Sequence, residues 1–266
     1  MIPKVIGLAV LGGLLPAFFW LWFWLREDRE NPEPKKIIAL TFFLGGLYVF
    51  LALWLEQAVS NINISQLENF RVSPIFNYQN FAYIFPFLSV FFVWALIEEF
   101  VKYLAALVGA FPRRSFDEPV DAVIYMITAA LGFSAVENMF FGLNSLCSGA
   151  AGFNFSQLVC MGAKSFDFLM SGNLRFLGAT PLHILSSAVV GVFIALAFYK
   201  KGWGKIFYIL GGLLTASLLH TFFNFFIIIN GGQYLFPLLI VLWVLTIALM
   251  VLFEMIKAKK IKYVQR

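Results

Sequence analysis

The ionisable side chains that could do chemistry in this chain lie inside long apolar segments. The stretch WALIEEFVKYLAAL carries Glu98, Glu99 and Lys102. Helical spacing puts Lys102 one turn beyond the paired carboxylates, within reach of either one. One ammonium group cannot neutralise two adjacent carboxylates, which leaves one of them for another partner or for a proton. The alternative explanation is a structural ion pair that joins two helices.

Both histidines of the chain also lie in apolar segments. His183 follows Pro181 in LRFLGATPLHILSS, where the proline predicts a loosened helix. His220 and Asn224 are four residues apart in LLHTFFNFF and share one helix face. The concentration of both imidazoles in such segments favours a functional role over two satisfied core histidines. Arg175, about two turns before His183, suits either a role in the site or a side chain that extends to the membrane surface.

A further carboxylate and carboxamide lie in VDAVIYMITAALGFSAVENMFFG. Asp121 follows Pro119 and is predicted to be a helix-start residue, because the helix dipole favours a carboxylate there. Glu137 and Asn138 lie about five turns further along, in apolar sequence. An interhelical hydrogen-bond pair and a direct role in a site explain them equally well.

Carboxylates, two imidazoles and a carboxamide are the groups that peptide hydrolysis needs. A buried carboxylate can take a proton from water, and an imidazole can orient that water or donate a proton to the leaving amine. An amide N–H and an imidazole N–H can hold the oxyanion of a tetrahedral intermediate. Charges inside membrane spans are functional candidates by default.

Composition requires these groups to be held by membrane helices. The 266-residue chain is 61% hydrophobic and only 12% charged, so lipid must be its solvent. Seven apolar runs are long enough to span a bilayer, which predicts an all-α polytopic bundle forming one integral membrane domain over residues 1–266. The runs are Pro3–Leu25, Ile37–Val59, Ala82–Phe111, Val120–Leu143, Leu174–Tyr199, Ile206–Ile229 and Tyr234–Ile256.

The net charge of +5 sits in short loops, which indicates orientation signals and excludes nucleic-acid binding. Lysine and arginine concentrate after the first, third, fifth and seventh runs, which predicts an outside N-terminus and a cytoplasmic C-terminus. Helix rise then puts His183 and His220 about 14 Å below the outer surface, so the site is expected in the outer half of the membrane. Ser60–Asn80 is predicted to be a loop, with room for a short surface helix. Cys147 and Cys160 fall in the link Ser145–Gly172, where a disulfide and two free thiols are equally expected.

At these residues the chain resembles the PrsW family of intramembrane proteases, within the wider group of CAAX-processing and bacteriocin-processing proteins. The matching motifs are EEFVK from Glu98, VENMFFG around Glu137, the stretch from Arg175 to His183, and HTFFN from His220. They cover a catalytic core of about residues 82–229. Ala179 and Lys102 stand where CAAX-type proteins carry phenylalanine and arginine, which favours the PrsW branch.

The resemblance implies an intramembrane endopeptidase of a prokaryotic plasma or inner membrane. It implies that Glu98 or Glu99 activates water with His183, that His220 and Asn224 hold the oxyanion, and that Lys102, Glu137, Asn138 and Arg175 support the site. The implied substrates are membrane proteins, such as single-span anti-sigma factors.

Three hypotheses remain at this point. The resemblance and the ammonium of Lys102 favour a metal-free peptidase that needs no cofactor. A zinc-dependent peptidase would use Glu98, His183 and His220, since two histidines and one glutamate form a usual catalytic zinc set. A non-enzymatic protein, such as a proton-coupled transporter or a self-protection protein, would also bury Glu and His. Asn224 beside His220 favours a peptidase, because a proton relay has little need of a carboxamide.

Overall fold

The computed structural model describes residues 2–29, 31–71, 81–146, 175–229 and 235–264, and all regular structure in these ranges is helical. The prediction of an all-α fold is therefore confirmed. Seven long helices and one π-helical turn follow one another along the described chain. They are α1 (Ile2–Glu27), α2 (Lys35–Arg71), α3 (Phe81–Gly109), α4 (Pro119–Leu146), the π-helical turn Arg175–Ala179, α5 (Thr180–Leu196), α6 (Trp203–Ile229) and α7 (Leu235–Val264).

Six of these helices contain segments long and apolar enough to cross a membrane: Ile6–Glu27, Lys35–Val59, Pro119–Leu143, Arg175–Leu196, Trp203–Ile227 and Leu235–Lys257. The remaining long helix, α3, carries Glu98, Glu99 and Lys102 in its middle. It packs against α2, α4 and α6 within the same bundle. The polytopic bundle is thus confirmed, whereas the direction of the termini stays a prediction.

Helix α4 forms the centre of the bundle, with 89% of its span buried against 22% for α7. It packs against α1, α2 and α5 along its length. Small residues allow this close approach, as is common between membrane helices. A Cβ atom at Gly132 would collide with the Phe42 carbonyl of α2, and one at Gly45 would collide with the Ala129 backbone of α4.

The loops that join α1 to α2, α3 to α4 and α5 to α6 meet at one face of the bundle. Asn31 donates a hydrogen bond to Glu118 at 2.8 Å, and the rings of Phe116 and Phe198 lie 5.2 Å apart. Asp121 accepts the backbone N–H groups of Asp117 and Glu118 at the start of α4, which agrees with its predicted helix-start role. Helices α2, α4 and α6 therefore end at the opposite face, which we call the far face, where α3 and α5 begin.

One local prediction differs in part from the structure. Ser60–Asn80 was predicted to be a loop with room for a short surface helix, whereas the long helix α2 itself continues through Arg71. The loosened helix predicted beside Pro181 corresponds to the π-helical turn just before it, and the proline lies in the first turn of α5, where its missing N–H is not needed. Cys147 and Cys160 lie outside the described residues.

Candidate active site

Glu99 is a fully buried carboxylate, and both of its oxygens accept hydrogen bonds. Its side chain is 0% exposed, and Lys102 Nζ lies 2.7 Å from its Oε1 atom. Ser186 and Ser187 of α5 donate to Oε1 and Oε2 at 2.8 and 2.7 Å. His220 Nδ1 lies 3.0 Å from Oε1. A buried charge needs such compensation, so this arrangement holds Glu99 in one place as an anion.

Glu98, one residue earlier, has a different environment. Its side chain is 13% exposed, and its nearest partners lie at longer distances than those of Glu99. The Oε2 atom lies 3.4 Å from Lys102 Nζ, and 3.8 Å from both His183 Nδ1 and His220 Nε2. Glu98 therefore faces both imidazoles without a short hydrogen bond to either. The structure separates two glutamates that the sequence left equivalent.

The two histidines meet edge to face, with ring centroids 5.2 Å apart. Each ring directs one nitrogen at a supporting carboxylate: His183 Nε2 lies 2.7 Å from Glu137, and His220 Nδ1 lies 3.0 Å from Glu99. Because a carboxylate accepts a hydrogen bond, it fixes the proton of the imidazole on that nitrogen. The lone pair of His220 Nε2 then faces Glu98, and the lone pair of His183 Nδ1 faces both Glu98 and the ammonium group of Lys102.

These three side chains fit a metal ion. Ligand atoms of Glu98, His183 and His220 all lie within 4.8 Å of one another. Zinc bonds of about 2.0–2.2 Å in a tetrahedron hold ligand atoms about 3.5 Å apart. The two Glu98–histidine distances of 3.8 Å are close to this spacing, and the side chains would draw together around an ion. A carboxylate on the second nitrogen of each histidine is also the usual support of metal-ligating imidazoles.

Lys102 shares the same space. Its Nζ atom lies 2.9 Å from His183 Nδ1, the atom that would bind an ion, and 4.6 Å from the Phe133 ring centroid. An ion between the three ligands would require the ammonium group to move away from His183. Its shorter contact with Glu99, at 2.7 Å, does not stand in the way of the ion. The predicted contact of Lys102 with both glutamates is present.

Arg175 and Asn138 form a support on the far-face side of His183. An Arg175 terminal nitrogen lies 3.5 Å from Glu137, and the guanidinium packs 3.7 Å from the Phe141 ring centroid. Arg175 Nε donates to the Asn138 carbonyl oxygen, and Asn138 Nδ2 donates to Thr180 at 3.0 Å. Arg175 thus points into the bundle rather than along the membrane surface.

Asn224 makes no hydrogen bond with the described side chains of this cluster. It is half-buried on α6, one turn beyond His220. Among the residues whose side chains the structure describes, none makes a hydrogen bond with its carboxamide. The structure therefore brings together Glu98, Glu99, Lys102, Glu137, Asn138, Arg175, His183 and His220, and leaves Asn224 beside them.

Sequence reasoning missed two serines that contact Glu99 and one carboxylate that interacts with the site electrostatically. Ser186 and Ser187 look like ordinary small residues of an interhelical contact, and only their distances to Glu99 distinguish them. Glu56 of α2 interacts electrostatically with Glu98, Glu137 and Lys102. Its signal was present, because a carboxylate within an apolar run is a functional candidate.

A membrane helix bundle with this carboxylate and imidazole cluster has the architecture of an intramembrane peptidase. The chain belongs to the family described as PrsW family intramembrane metalloprotease, whose sequence profile matches residues 33–253. Three proteins named Protease PrsW are similar to it. That of Bacillus subtilis is 22% identical, covering 88% of this chain and 90% of its own length. That of Shouchella clausii is 24% identical, covering 90% and 93%. That of Oceanobacillus iheyensis is 25% identical, covering 88% and 91%. No solved structure gives a significant match.

These comparisons confirm the family resemblance, the peptidase class and the location as a multi-pass protein of a bacterial cell membrane. They also bear on the cofactor. The family is described as metalloproteases, and the three residues of the zinc alternative converge in the structure. The expectation that no metal is needed therefore loses support, although neither finding identifies an ion.

Proposed function

We propose that this protein hydrolyses a peptide bond in membrane-protein substrates, using a water molecule held between Glu98, His183 and His220. The supporting observation is that Glu98 Oε2 lies 3.8 Å from one nitrogen of each imidazole. The other nitrogen of His183 is held by Glu137, and the other nitrogen of His220 is held by Glu99. In this proposal residues 82–229 form the catalytic core of a single membrane domain that covers residues 1–266.

A divalent metal ion, most simply zinc, completes the proposed site with Glu98, His183 and His220 as its ligands. Such an ion would polarise the scissile carbonyl and make water a better nucleophile at neutral pH. Glutamate and two histidines are the donor set of many catalytic zinc sites. The supporting carboxylates Glu99 and Glu137 complete the arrangement.

Neighbouring side chains orient the two histidines of the proposed site. Lys102, Ser186 and Ser187 hold Glu99, which keeps His220 in one tautomer and one orientation. Arg175 and Glu137 do the same for His183. Asn224, without a hydrogen bond to another described side chain, is available to donate its amide N–H to the carbonyl oxygen of a substrate as negative charge develops there.

One observation favours the metal-free alternative. Lys102 Nζ, 2.9 Å from His183 Nδ1 and 3.4 Å from Glu98, already places a positive charge where an ion would lie. In that mechanism Glu98 takes the proton of the water and His183 orients it. Chelation separates the two mechanisms, because the metal-free mechanism retains activity when tightly bound ions are removed.

The proposed substrates are single-span membrane proteins, with anti-sigma factors as the class implied by the family resemblance. Glu137, His183 and His220 lie in the halves of α4, α5 and α6 nearest the far face. With the predicted orientation, the far face is the outer one. Water and substrate would then reach the site from outside the cell.

The test is co-expression with a tagged single-span substrate, followed by detection of the cleaved fragment. Glu98→Gln, His183→Asn and His220→Asn should abolish the fragment and the bound metal of the purified protein. Glu254→Gln, on the exposed side of α7, is the matched control and should leave both unchanged. Full cleavage by Glu98→Gln would refute the assignment of the site. Full cleavage by chelated, metal-free wild type would refute the metal alone.

A further inference from the structure

Pro181 removes a backbone donor from the π-helical turn Arg175–Ala179 that precedes it. In an α-helix the Leu177 carbonyl would accept the N–H of residue 181, which lies four positions further on. In a π-helix the Phe176 carbonyl would accept the same N–H from five positions away. Proline has no N–H, so neither carbonyl can use that position. A carbonyl without a donor is costly inside a membrane, because lipid cannot supply one.

Two indole groups from other helices supply donors to these carbonyls. Trp243 Nε1 of α7 donates to the Leu177 carbonyl oxygen at 3.2 Å. Trp20 Nε1 of α1 donates to the Phe176 carbonyl oxygen at 3.4 Å. The two indole rings also contact each other, with centroids 5.7 Å apart. The π-helical turn is therefore held by two helices that contribute none of the motifs of the site.

Side-chain packing holds the turn against the same two helices. The Phe176 ring lies 5.4 Å from the Phe19 ring and 6.0 Å from the Trp20 ring of α1, measured between centroids. A Cβ atom at Gly178 would lie 3.2 Å from the Leu239 side chain of α7. Trp20 is only 5% exposed, which distinguishes it from the tryptophans that anchor a helix at the membrane–water interface.

The turn carries Arg175, and Arg175 leads to a histidine of the site. A terminal nitrogen of Arg175 lies 3.5 Å from Glu137, and its Nε atom donates to Asn138. Glu137 in turn lies 2.7 Å from His183 Nε2. Single π-helical turns inside helices are frequent at functional sites. Movement of this turn would take the guanidinium away from Glu137 and loosen the imidazole.

We propose that Trp20 and Trp243 are positioning residues of the peptidase. Their indole N–H groups hold the π-helical turn so that Arg175 reaches Glu137 and His183 keeps its orientation. This inference rests on the proposed function and gives α1 and α7 a part in it. None of these contacts involves an atom that would bind an ion, so the inference is the same for the metal-dependent and the metal-free mechanism.

The test compares Trp20→Phe, Trp243→Phe and the double variant in purified protein. Phenylalanine keeps an aromatic ring and has no N–H to donate. A misplacement of about 1 Å that originates far from the chemistry can lower a rate about 100-fold. The double variant should therefore lower kcat about 10-fold to 100-fold with KM unchanged, and each single variant should give a smaller loss. Trp22→Phe, on the exposed side of α1, is the matched control and should keep the wild-type kcat.

A second measurement separates positioning from general damage to the fold. Arg175→Gln removes the group through which the turn acts, so adding Trp20→Phe and Trp243→Phe to it should lower kcat no further. Circular dichroism at the assay temperature should show folded protein throughout. If the double variant does not fold, each single variant is combined with Arg175→Gln in the same way.

Two results would overturn the inference. One is wild-type kcat in the variants that lack an indole. The other is a loss of kcat that is as large with Arg175→Gln as without it, because general damage to the fold adds to any other change. Failure of the proposed function looks different, because Glu98→Gln would then remain active.

Discussion

The 2.7 Å contact between His183 Nε2 and Glu137 Oε2 joins α5 to the central helix α4. It determines which nitrogen of His183 faces Glu98, because the imidazole proton must lie on the side of the carboxylate. Arg175 approaches the same Glu137 oxygen at 3.5 Å and balances its charge. The sequence placed His183 only within a span. This contact fixes the orientation of its imidazole ring.

Glu137→Gln is expected to impair the site without removing it. A glutamine can still accept a hydrogen bond from His183, but it carries no charge and holds the ring less firmly. Loss of a supporting carboxylate typically costs about 10-fold to 100-fold in metal affinity or activity. Metal titration and fragment yield measure the two effects. Wild-type values of both would show that the contact does not orient His183.

The contacts of Glu99 should contribute more to the stability of the fold than the contacts of Glu98. Ser186→Ala and Ser187→Ala each leave buried Glu99 with one donor fewer, which should cost about 1–3 kcal/mol. In metal-free protein, Glu98→Gln removes only long contacts of a partly exposed side chain and should leave unfolding almost unchanged. Unfolding of the purified protein in mixed detergent micelles measures the difference. Equal destabilisation by Glu98→Gln and Ser187→Ala would contradict the division between the two glutamates.

Asn224→Ala should lower activity and leave the fold intact. Removal of one oxyanion donor typically costs about 100-fold to 1000-fold in kcat. No described side chain depends on Asn224 for a hydrogen bond, so the unfolding transition should match the wild type. Single-turnover cleavage of a tagged substrate gives the rate. A loss of activity that is matched by an equal loss of folded protein would assign Asn224 a packing role instead.

The position of the cut should report the depth and the side of the site. Helix rise puts His183, eight residues after Arg175, about 12 Å from the far face. With the predicted orientation, a substrate span should be cut in its outer half, as mass spectrometry of the fragments would show. Single cysteines near Arg175 should react with membrane-impermeant thiol reagents added outside the cell. A cut in the cytoplasmic half would reverse the orientation and the placement together.

Some properties of this protein follow from the order of its residues alone. Long apolar runs require membrane helices, whatever their neighbours, because lipid cannot satisfy a free backbone amide. The spacing of Glu98, Glu99 and Lys102 along one helix likewise placed Lys102 within reach of either carboxylate, and the structure has it in contact with both. Four motifs in order were enough to identify the family.

Tertiary structure decided which of the similar groups does what. Glu98 and Glu99 are adjacent in sequence, and only the packing of α5 against α3 puts two serines against one of them. Local sequence determines helices because backbone hydrogen bonds and burial in lipid are short-range requirements. The active site required the folded bundle because its contacts join residues as many as 121 positions apart, as between His220 and Glu99.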